Sequence, residues 1–404
     1  MAQTVQGSGA ARGIVEIIVA SGMTSLVELK DGSVMMLLPS KKASQVSRDL
    51  GKTWDEPKPL VCDGKQLAAV VTESTHSIIG VTSLQSGKLA LTYFTQEALF
   101  MATSADEGQT WSTIGEIGRT ADGTPYHDVM IQLKNGRLLL PARWCASGEH
   151  PDNYQPRATG RWKGTTVALE GHGHSPEIDI AFAYYSDDEG KTWQKCKGHL
   201  MGWFQSGALG VTPCDEPCVA ETKDGRVLFF ARSTVGRIVS SYSEDGGVTW
   251  SKVKPTDLAN SYSPARLVSI PKTGDLLCVW NQVSGEDIRR GFRRGRLSLA
   301  ISETNGQSWK NFKTIEVSDG LDPDATMIEA DGLSTSMVRA HADCGEMPDG
   351  WRFFHYPNAD FAAGHVFITY LRGQLVEDAS AVRHVGQPQE EVLRVFPVEW
   401  LYEE

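Results

Sequence analysis

An eight-residue segment recurs along this chain of 404 residues, and it constrains the fold more than any other feature. Four copies read Ser-x-Asp-x-Gly-x-Thr-Trp, and a degraded fifth copy keeps the serine, glycine and tryptophan. The copies begin at Ser47, Ser104, Ser186, Ser243 and Ser302. The aspartate can accept hydrogen bonds from turn amides, and the glycine supplies a positive φ. We therefore predict that each copy, called a box below, is a structural turn whose tryptophan packs against its own sheet.

A second repeated pattern precedes each box, in which two apolar runs flank a glycine turn, most clearly Asp-Gly or Asn-Gly. It spans Val27–Leu37, Leu84–Leu89, Ile131–Leu140, Val219–Phe230 and Pro271–Leu276. Hairpin and box together make four antiparallel strands, which is one propeller blade. We predict an all-β, six-bladed β-propeller in a single domain over 1–404. A long polar insertion, 146–176, interrupts blade 3.

The sixth blade carries no box. We assemble it from Ser334–Ala340, Trp351–Tyr356, His365–Leu371 and Val392–Trp400. Ile14–Ala20 is expected to pair with it and close the ring, which would remove free sheet edges.

Composition excludes some classes of partner. The formal net charge of −11 disfavours binding to nucleic acid and to anionic membranes. No apolar run approaches the roughly 18 residues of a membrane span. We see no signal peptide, so the expected location is the cytoplasm, or outside it after removal of a leader. The seven scattered cysteines favour buried thiols over a disulfide framework or a metal site at Cys214 and Cys218. We expect neither a cofactor nor a bound metal.

The boxes and the blade count resemble the sialidase (neuraminidase) superfamily with Asp-box repeats. That resemblance implies a glycosidase with its active site at the propeller axis. It implies three arginines that clamp a substrate carboxylate, a tyrosine nucleophile, a glutamate that activates it and an acidic aspartate.

Two positions match the family pattern directly. Glu216, in Asp215-Glu216-Pro217, stands where the family has its glutamate, and Arg232 stands where it has the second arginine. Arg294, in a run that also contains Arg290, is closest to the third arginine. The family's first arginine would fall at 22–25, its aspartate at 38–42 and its tyrosine at 322–324, and the expected residue types are missing there.

Other groups at the starts of the inner strands are expected to complete the site. We predict His76, His127, Asp128 and Tyr262 as further catalytic groups. Arg143, Arg266 and His355 are expected to bind substrate with Arg232, Arg294 and Arg290. The insertion, with Trp162, His172 and His174, is interpreted as a substrate-facing loop rather than a metal site.

Three functions remain open at this point. The first is a glycosidase that acts on an anionic sugar, such as a sialic acid or a uronate. The second is a polysaccharide lyase on uronate glycans, in which a histidine and Tyr262 perform β-elimination. The third is a propeller that binds acidic glycans without turnover. In each case the expected partner is a carbohydrate.

Overall fold

A computed structural model describes residues 15–19, 24–71, 77–125, 129–145, 158–168, 178–203, 211–284, 287, 292–322, 342–375 and 389–403. The prediction of an all-β protein is confirmed. Its described residues form strands joined by turns, with short 3-10 segments at Pro39–Lys41, Leu67–Ala69, Thr120–Asp122 and Val398–Tyr402. No helix among them is long and apolar enough to span a membrane.

Most strands belong to four-stranded antiparallel sheets, numbered 1 to 6 in chain order. Sheet 1 comprises Leu26–Glu28, Val34–Leu38, Ala43–Ser47 and Lys58–Pro59. Sheet 2 comprises Ile78–Ser83, Leu89–Phe94, Ala98–Ser104 and Ser112–Arg119. Sheet 3 comprises Ile131–Gln132, Leu138–Cys145, Asp179–Ser186 and Gln194–Lys195.

The later sheets have the same order. Sheet 4 comprises Asp215–Glu221, Val227–Arg232, Arg237–Ser243 and Lys254–Ala259. Sheet 5 comprises Arg266–Ser269, Leu276–Trp280, Arg296–Ser302 and Lys310–Val317. Sheet 6 comprises Arg352–Ala362, His365–Gln374, Gln389–Pro397 and, at its outer edge, Val15–Val19. Smaller ladders join Val61–Cys62 to Lys65–Gln66, Gly202–Trp203 to Val211–Thr212, and Ala158–Trp162 to both Thr165–Ala168 and Ala342–Glu346.

Sheet 6 differs from its predicted composition. The N-terminal strand pairs with the last strand as predicted, with Val15 opposite Val395. The first strand, however, is Arg352–Ala362, and the sheet has its four strands without 334–340, which lies outside the described residues. The reason is a long hairpin, in which Ala362 pairs with His365 across a two-residue turn. The prediction had shifted the order of strands by one.

The boxes form the turns that the sequence predicts. In the third box, Asp188 accepts a hydrogen bond from the Thr192 backbone nitrogen at 2.9 Å, and the Ser186 hydroxyl accepts one from Gly190 at 2.9 Å. Gly190 has φ +88°, and the glycines of the other boxes are also left-handed. The same bonds recur around Asp49, Asp106 and Asp245, while Thr304 takes the aspartate's place in the fifth box. These carboxylates are structural.

Each box also lies against the preceding sheet, in addition to the predicted packing of its tryptophan against its own sheet. An added Cβ on a box glycine would meet a side chain of a neighbouring sheet. The contacts are Gly108 with Met35, Gly190 with Met101, Gly247 with Leu139, Gly306 with Leu228, and Gly51 with Leu393. Trp54 accordingly packs in a core cluster shared by sheets 1 and 6. The first box therefore joins the first sheet to the last.

The first strands of consecutive sheets are joined by polar contacts as well. The Val81 N–H donates to the Ser25 hydroxyl, and the Thr82 hydroxyl donates to the Met130 carbonyl. The Lys134 N–H donates to the Glu221 carboxylate, and the Ser269 hydroxyl donates to the Glu221 carbonyl. The Arg266 guanidinium lies 3.9 Å from the Asp360 carboxylate, which also accepts a hydrogen bond from the Leu26 N–H. This series leads from sheet 1 through every sheet and back to sheet 1. The closed six-bladed ring and the single domain over 1–404 remain predictions at this point.

Within the insertion the structure describes only the hairpin 158–168. Trp162 is buried there against Met347 and Trp351, and its indole nitrogen donates to the Asp349 carbonyl at 3.2 Å. Trp162 is therefore a packing residue. His172 and His174 lie outside the described residues, so a substrate-facing loop remains a prediction.

Candidate active site

Several of the predicted groups lie together where strands of different sheets begin or end. Asp215 opens the first strand of sheet 4, and Arg232 ends the second strand directly opposite it. Arg143 is near the end of the second strand of sheet 3. Arg294 precedes the third strand of sheet 5, and its carbonyl accepts a hydrogen bond from the Phe354 nitrogen of sheet 6. Four sheets thus contribute to one site.

Glu216 lies at the centre of this site, with only 2% of its surface exposed. Its Oε2 is 2.6 Å from Nη1 of Arg232, whose side chain is fully buried. Its Oε1 accepts a hydrogen bond from the Tyr356 hydroxyl at 3.1 Å. The pairing of Glu216 with Arg232 at this edge agrees with the spacing in the sequence.

The hydroxyl that contacts Glu216 belongs to Tyr356, to which the sequence analysis gave no catalytic role. The family position was sought at 322–324, because the first strand of the last sheet was taken to start at Ser334. Tyr356 instead lies within the actual first strand of sheet 6, next to the predicted His355. A register shift between His355 and Asn358 interrupts the ladder there. Bulges of this kind re-aim side chains near active sites.

The surrounding charges shift the pKa values of Glu216 and the adjacent Asp215 in opposite directions. Burial alone would raise the pKa of Glu216, but Arg232, Arg143 and Arg294 together hold that pKa below its usual value. Burial, followed by repulsion from Glu216, raises the pKa of Asp215 to about 7. Two adjacent carboxyl groups with separated pKa values can hold a proton and accept one near neutral pH.

Arg294 is half-buried and lies beside Tyr356, with its guanidinium carbon 5.7 Å from the ring centroid. Its Nη1 is 2.7 Å from Nδ1 of His355. Because a guanidinium can only donate, Nδ1 of His355 is the acceptor, and a neutral ring then carries its proton on Nε2. This hydrogen bond to His355 therefore orients the Arg294 guanidinium.

Tyr262 is fully buried, and the Arg232 guanidinium lies over its ring at 4.0 Å from the centroid. This contact holds Arg232 in place. The predicted catalytic role of Tyr262 stays a prediction.

The backbone of the site is unusual. Glu216, Tyr262, Arg294 and Tyr356 all have positive φ, between 42° and 57°. Such a conformation is an outlier for bulky residues and costs about 1–3 kcal/mol for each one. Non-glycine residues with positive φ outside the site occur mainly in turns, including position four of the boxes. Four of them at one location indicate that the fold maintains strain there, as functional sites do.

Other predicted residues are elsewhere or outside the described part of the chain. Arg266 is buried beside Asp360 at 3.9 Å, and burial raises the pKa of that carboxyl to about 6 although Arg266 opposes the shift. His76, His127, Asp128 and Arg290 lie outside the described residues, so their roles remain predictions.

The sequence analysis gave no role to Asp215 or Asp179, and it considered Tyr356 only together with His355. Asp215 was visible beside Glu216, and Tyr356 beside His355. Asp179 had no local signal, because its partner, Arg143, is reached only across a strand pair.

A cavity of about 660 Å³ lies at the opposite ends of the first strands. Lys134, Glu221, Lys272 and Asp360 line it together with apolar side chains, and neither Glu216 nor Tyr356 does. In the part of the chain that the structure describes, no group of three or more His, Cys, Asp or Glu side chains could hold a metal ion.

Residues 78–363 match the family of BNR repeat-like domains. None of the curated proteins compared with the chain matches its sequence.

Among solved structures, the chain is similar to a protein of unknown function from Dyadobacter fermentans, with 15% identity and a TM-score of 0.53 over 96% of this chain and 100% of that one. It is similar to the NanB sialidase of Streptococcus pneumoniae, with 14% identity and a TM-score of 0.51 over 99% of this chain and 71% of that one. The α-L-arabinofuranosidase of Fusarium graminearum is 12% identical, with a TM-score of 0.51 over 98% and 100% of the two chains. At these identities the likeness concerns the fold. The chain belongs to the family of BNR repeat-like domains.

Proposed function

We propose that this protein is a six-bladed propeller and a glycoside hydrolase whose nucleophile is Tyr356. The ring is supported by the contact of the first box with sheet 6, and by the polar contacts that lead from each first strand to the next. A ring places the starts of the six first strands around one axis. The single domain over 1–404 is part of this proposal.

The observation that carries the proposal is the hydrogen bond from the Tyr356 hydroxyl to the Glu216 carboxylate. In the proposed reaction the Tyr356 oxygen attacks the anomeric carbon, and its proton passes to Glu216. The bond to the leaving oxygen breaks, and an acid protonates that oxygen. Water then hydrolyses the glycosyl-tyrosine, so the anomeric configuration is retained. His76, His127 and Asp128 are our candidates for the acid.

The substrate we propose is an anionic sugar, a sialic acid or a uronate, whose carboxylate contacts Arg294. Arg294 is half-buried, stands beside Tyr356 and donates a hydrogen bond to Nδ1 of His355. Arginine recognises carboxylates through paired hydrogen bonds.

One observation favours a second candidate, a neutral glycoside. Arg232 is fully buried against Glu216, and Arg143 lies between Asp179 and Asp215 at 2.9 Å from each. Because protein carboxylates already offset these two cations, Arg232 and Arg143 contribute less to a substrate clamp than the resemblance implies. A neutral furanoside would need no clamp.

A hydrolysis screen tests the proposal with chromogenic sialosides, uronides and arabinofuranosides. We expect turnover of one class, loss of turnover in Tyr356→Phe, and a fall of about 10²–10⁴ in kcat in Glu216→Gln. Tyr242→Phe is the matched control, because the Tyr242 hydroxyl donates to the Asn305 carbonyl at the fifth box.

Three outcomes would contradict the proposal. Full activity in Tyr356→Phe would exclude the nucleophile. A product that absorbs in the near ultraviolet would indicate a lyase. Glycan binding without turnover on any substrate would indicate a binding protein.

A further inference from the structure

A row of three charged side chains, Asp179, Arg143 and Asp215, lies next to Glu216. Arg143 donates from Nη1 to Oδ1 of Asp179 and contacts Oδ1 of Asp215 through Nε, each at 2.9 Å. The side chains of Asp179 and Asp215 are 4% and 3% exposed. Arg143 lies near the end of one strand of sheet 3, Asp179 begins the next, and Asp215 begins sheet 4. The row therefore fixes the junction of two sheets at the edge where the site lies.

Asp215 links this row to Glu216 through the backbone. Its Oδ1 accepts the Glu216 backbone N–H at 2.7 Å, at the residue whose φ is +42°. The ladder between the first two strands of sheet 4 is irregular between Asp215 and Cys218, so regular pairing does not fix this conformation. The Asp215 carboxylate is thus the group that holds the Glu216 backbone in its left-handed state.

We propose that Asp179, Arg143 and Asp215 are positioning residues that hold Glu216 in the one backbone conformation in which its carboxylate reaches the Tyr356 hydroxyl. The inference rests on the proposed function in so far as Glu216 accepts the tyrosine proton. The three residues act through Glu216, while Tyr356 and Arg294 remain the groups that meet the substrate.

The charges around the two carboxyl groups set the direction of the expected pH effect. Arg143, Arg232 and Asp179 surround Asp215, and Arg232, Arg143 and Arg294 surround Glu216. Arg143 lowers the pKa of Glu216, so removal of Arg143 raises it. Activity that needs ionised Glu216 is lost as pH falls through that pKa. The acid limb of the pH profile therefore moves to higher pH when Arg143 is removed.

The test compares Arg143→Met with Arg143→Lys. In Arg143→Met we expect kcat to fall by about tenfold to a hundredfold. KM should change less than about threefold, because in this proposal the row acts through Glu216 rather than on the substrate. We expect the acid limb of kcat/KM to move up by about one pH unit. Arg143→Lys keeps the charge and should restore the limb. Arg137→Met is the matched control, because Arg137 is ion-paired with Asp187 at 2.6 Å at the opposite end of the same strand.

A second measurement does not depend on turnover. In protein labelled with ¹³C at the tyrosine Cζ atoms, the resonance that is absent from Tyr356→Phe belongs to Tyr356. Because its hydroxyl bonds to Glu216, this resonance reports the titration of Glu216. We expect the midpoint of the low-pH transition of this resonance to move to higher pH in Arg143→Met and to be unchanged in Arg137→Met.

The two measurements separate the two proposals. An NMR shift in a protein without glycosidase activity would support the positioning row and refute the proposed function. If folded Arg143→Met has normal activity, and its pH profile and NMR titration are unchanged, the positioning role of the row is refuted but the proposed function is not. The same holds if the acid limb of the pH profile moves equally in the Arg137→Met control. If Arg143→Met does not fold, Arg143→Met/Asp179→Asn removes one charge of each sign and carries the same expectations.

Discussion

Replacement of Arg232 by methionine should cost far more stability at neutral pH than at acidic pH. Nη1 of Arg232 is 2.6 Å from Glu216 and 3.6 Å from Asp215, and its side chain has no exposed surface. Methionine fills similar space without the charge, so the change leaves two buried carboxyl groups with less compensation. Removing one partner of a buried ion pair costs about 3–5 kcal/mol.

The control is Arg226→Met in the same sheet. Arg226 contacts Asp224 at 2.7 Å, but the two side chains are 28% and 39% exposed. A pair this exposed contributes less than about 1 kcal/mol. At pH 7 the two variants should therefore differ by about 2–4 kcal/mol in the free energy of unfolding.

The pH dependence follows from the directions of the pKa shifts. In the native protein the pKa of Glu216 is lowered, so its contribution to stability is present above its unfolded pKa of about 4.3 and is lost as pH falls. Without Arg232, burial raises the pKa of Glu216 above the unfolded value. In the variant, stability is then present at low pH and lost as pH rises. Asp215 changes in the same direction, since Arg232 opposes the rise of its pKa to about 7.

Urea unfolding at pH 7 and pH 5, followed by tryptophan fluorescence, measures the effect. We expect the deficit of Arg232→Met to shrink by about 1–3 kcal/mol at pH 5, since each pH unit changes the contribution of one titrating carboxyl by up to about 1.4 kcal/mol. A deficit that is the same at both pH values, or no larger than that of Arg226→Met, would refute this account of the buried charges.

Two further predictions concern packing. Gly247→Ala should destabilise the protein by about 1–3 kcal/mol more than Gly225→Ala in urea unfolding. Both glycines have φ near +90°, but only a Cβ on Gly247 would lie 2.5 Å from Leu139. Equal losses of stability would contradict the packing of the box. Trp162→Ala should lose about 3–5 kcal/mol of packing at the insertion and speed proteolysis of its hairpin, whereas Trp144→Ala, 41% exposed, should not; unchanged cleavage in Trp162→Ala would contradict the docking.

The sequence predicted those parts of the fold that depend on local turn chemistry. The serine, aspartate and glycine of the first four boxes have fixed spacing because their hydrogen bonds close within five residues, as between Asp188 and Thr192. The register of sheet 6 was wrong because this sheet has no box and because a bulge interrupts its first strand.

The contact between Glu216 and Arg232 could be predicted because one sheet contributes both partners. Glu216 and Arg232 lie on adjacent strands of sheet 4, so their spacing along the chain sets their distance. Tyr356 and Glu216 come from different sheets, and no local pattern relates them. Arg143 was singled out as a substrate contact. Its partner Asp179 lies on the adjacent strand of sheet 3, whereas its partner Asp215 is reached only when sheets 3 and 4 pack together.

The pairing of Val15 with Val395 has a consequence for how the chain folds. Ribosomes extend a chain at about 5–20 residues per second, so the N-terminal strand must wait on the order of tens of seconds for its partner. During that time Val15–Val19 is an apolar segment with an unpaired edge, which is a template for association with other chains. Sheets 1 to 5 can form as they emerge, whereas sheet 6 can form only last. The step that completes the fold is thus also the step most exposed to misassembly between molecules.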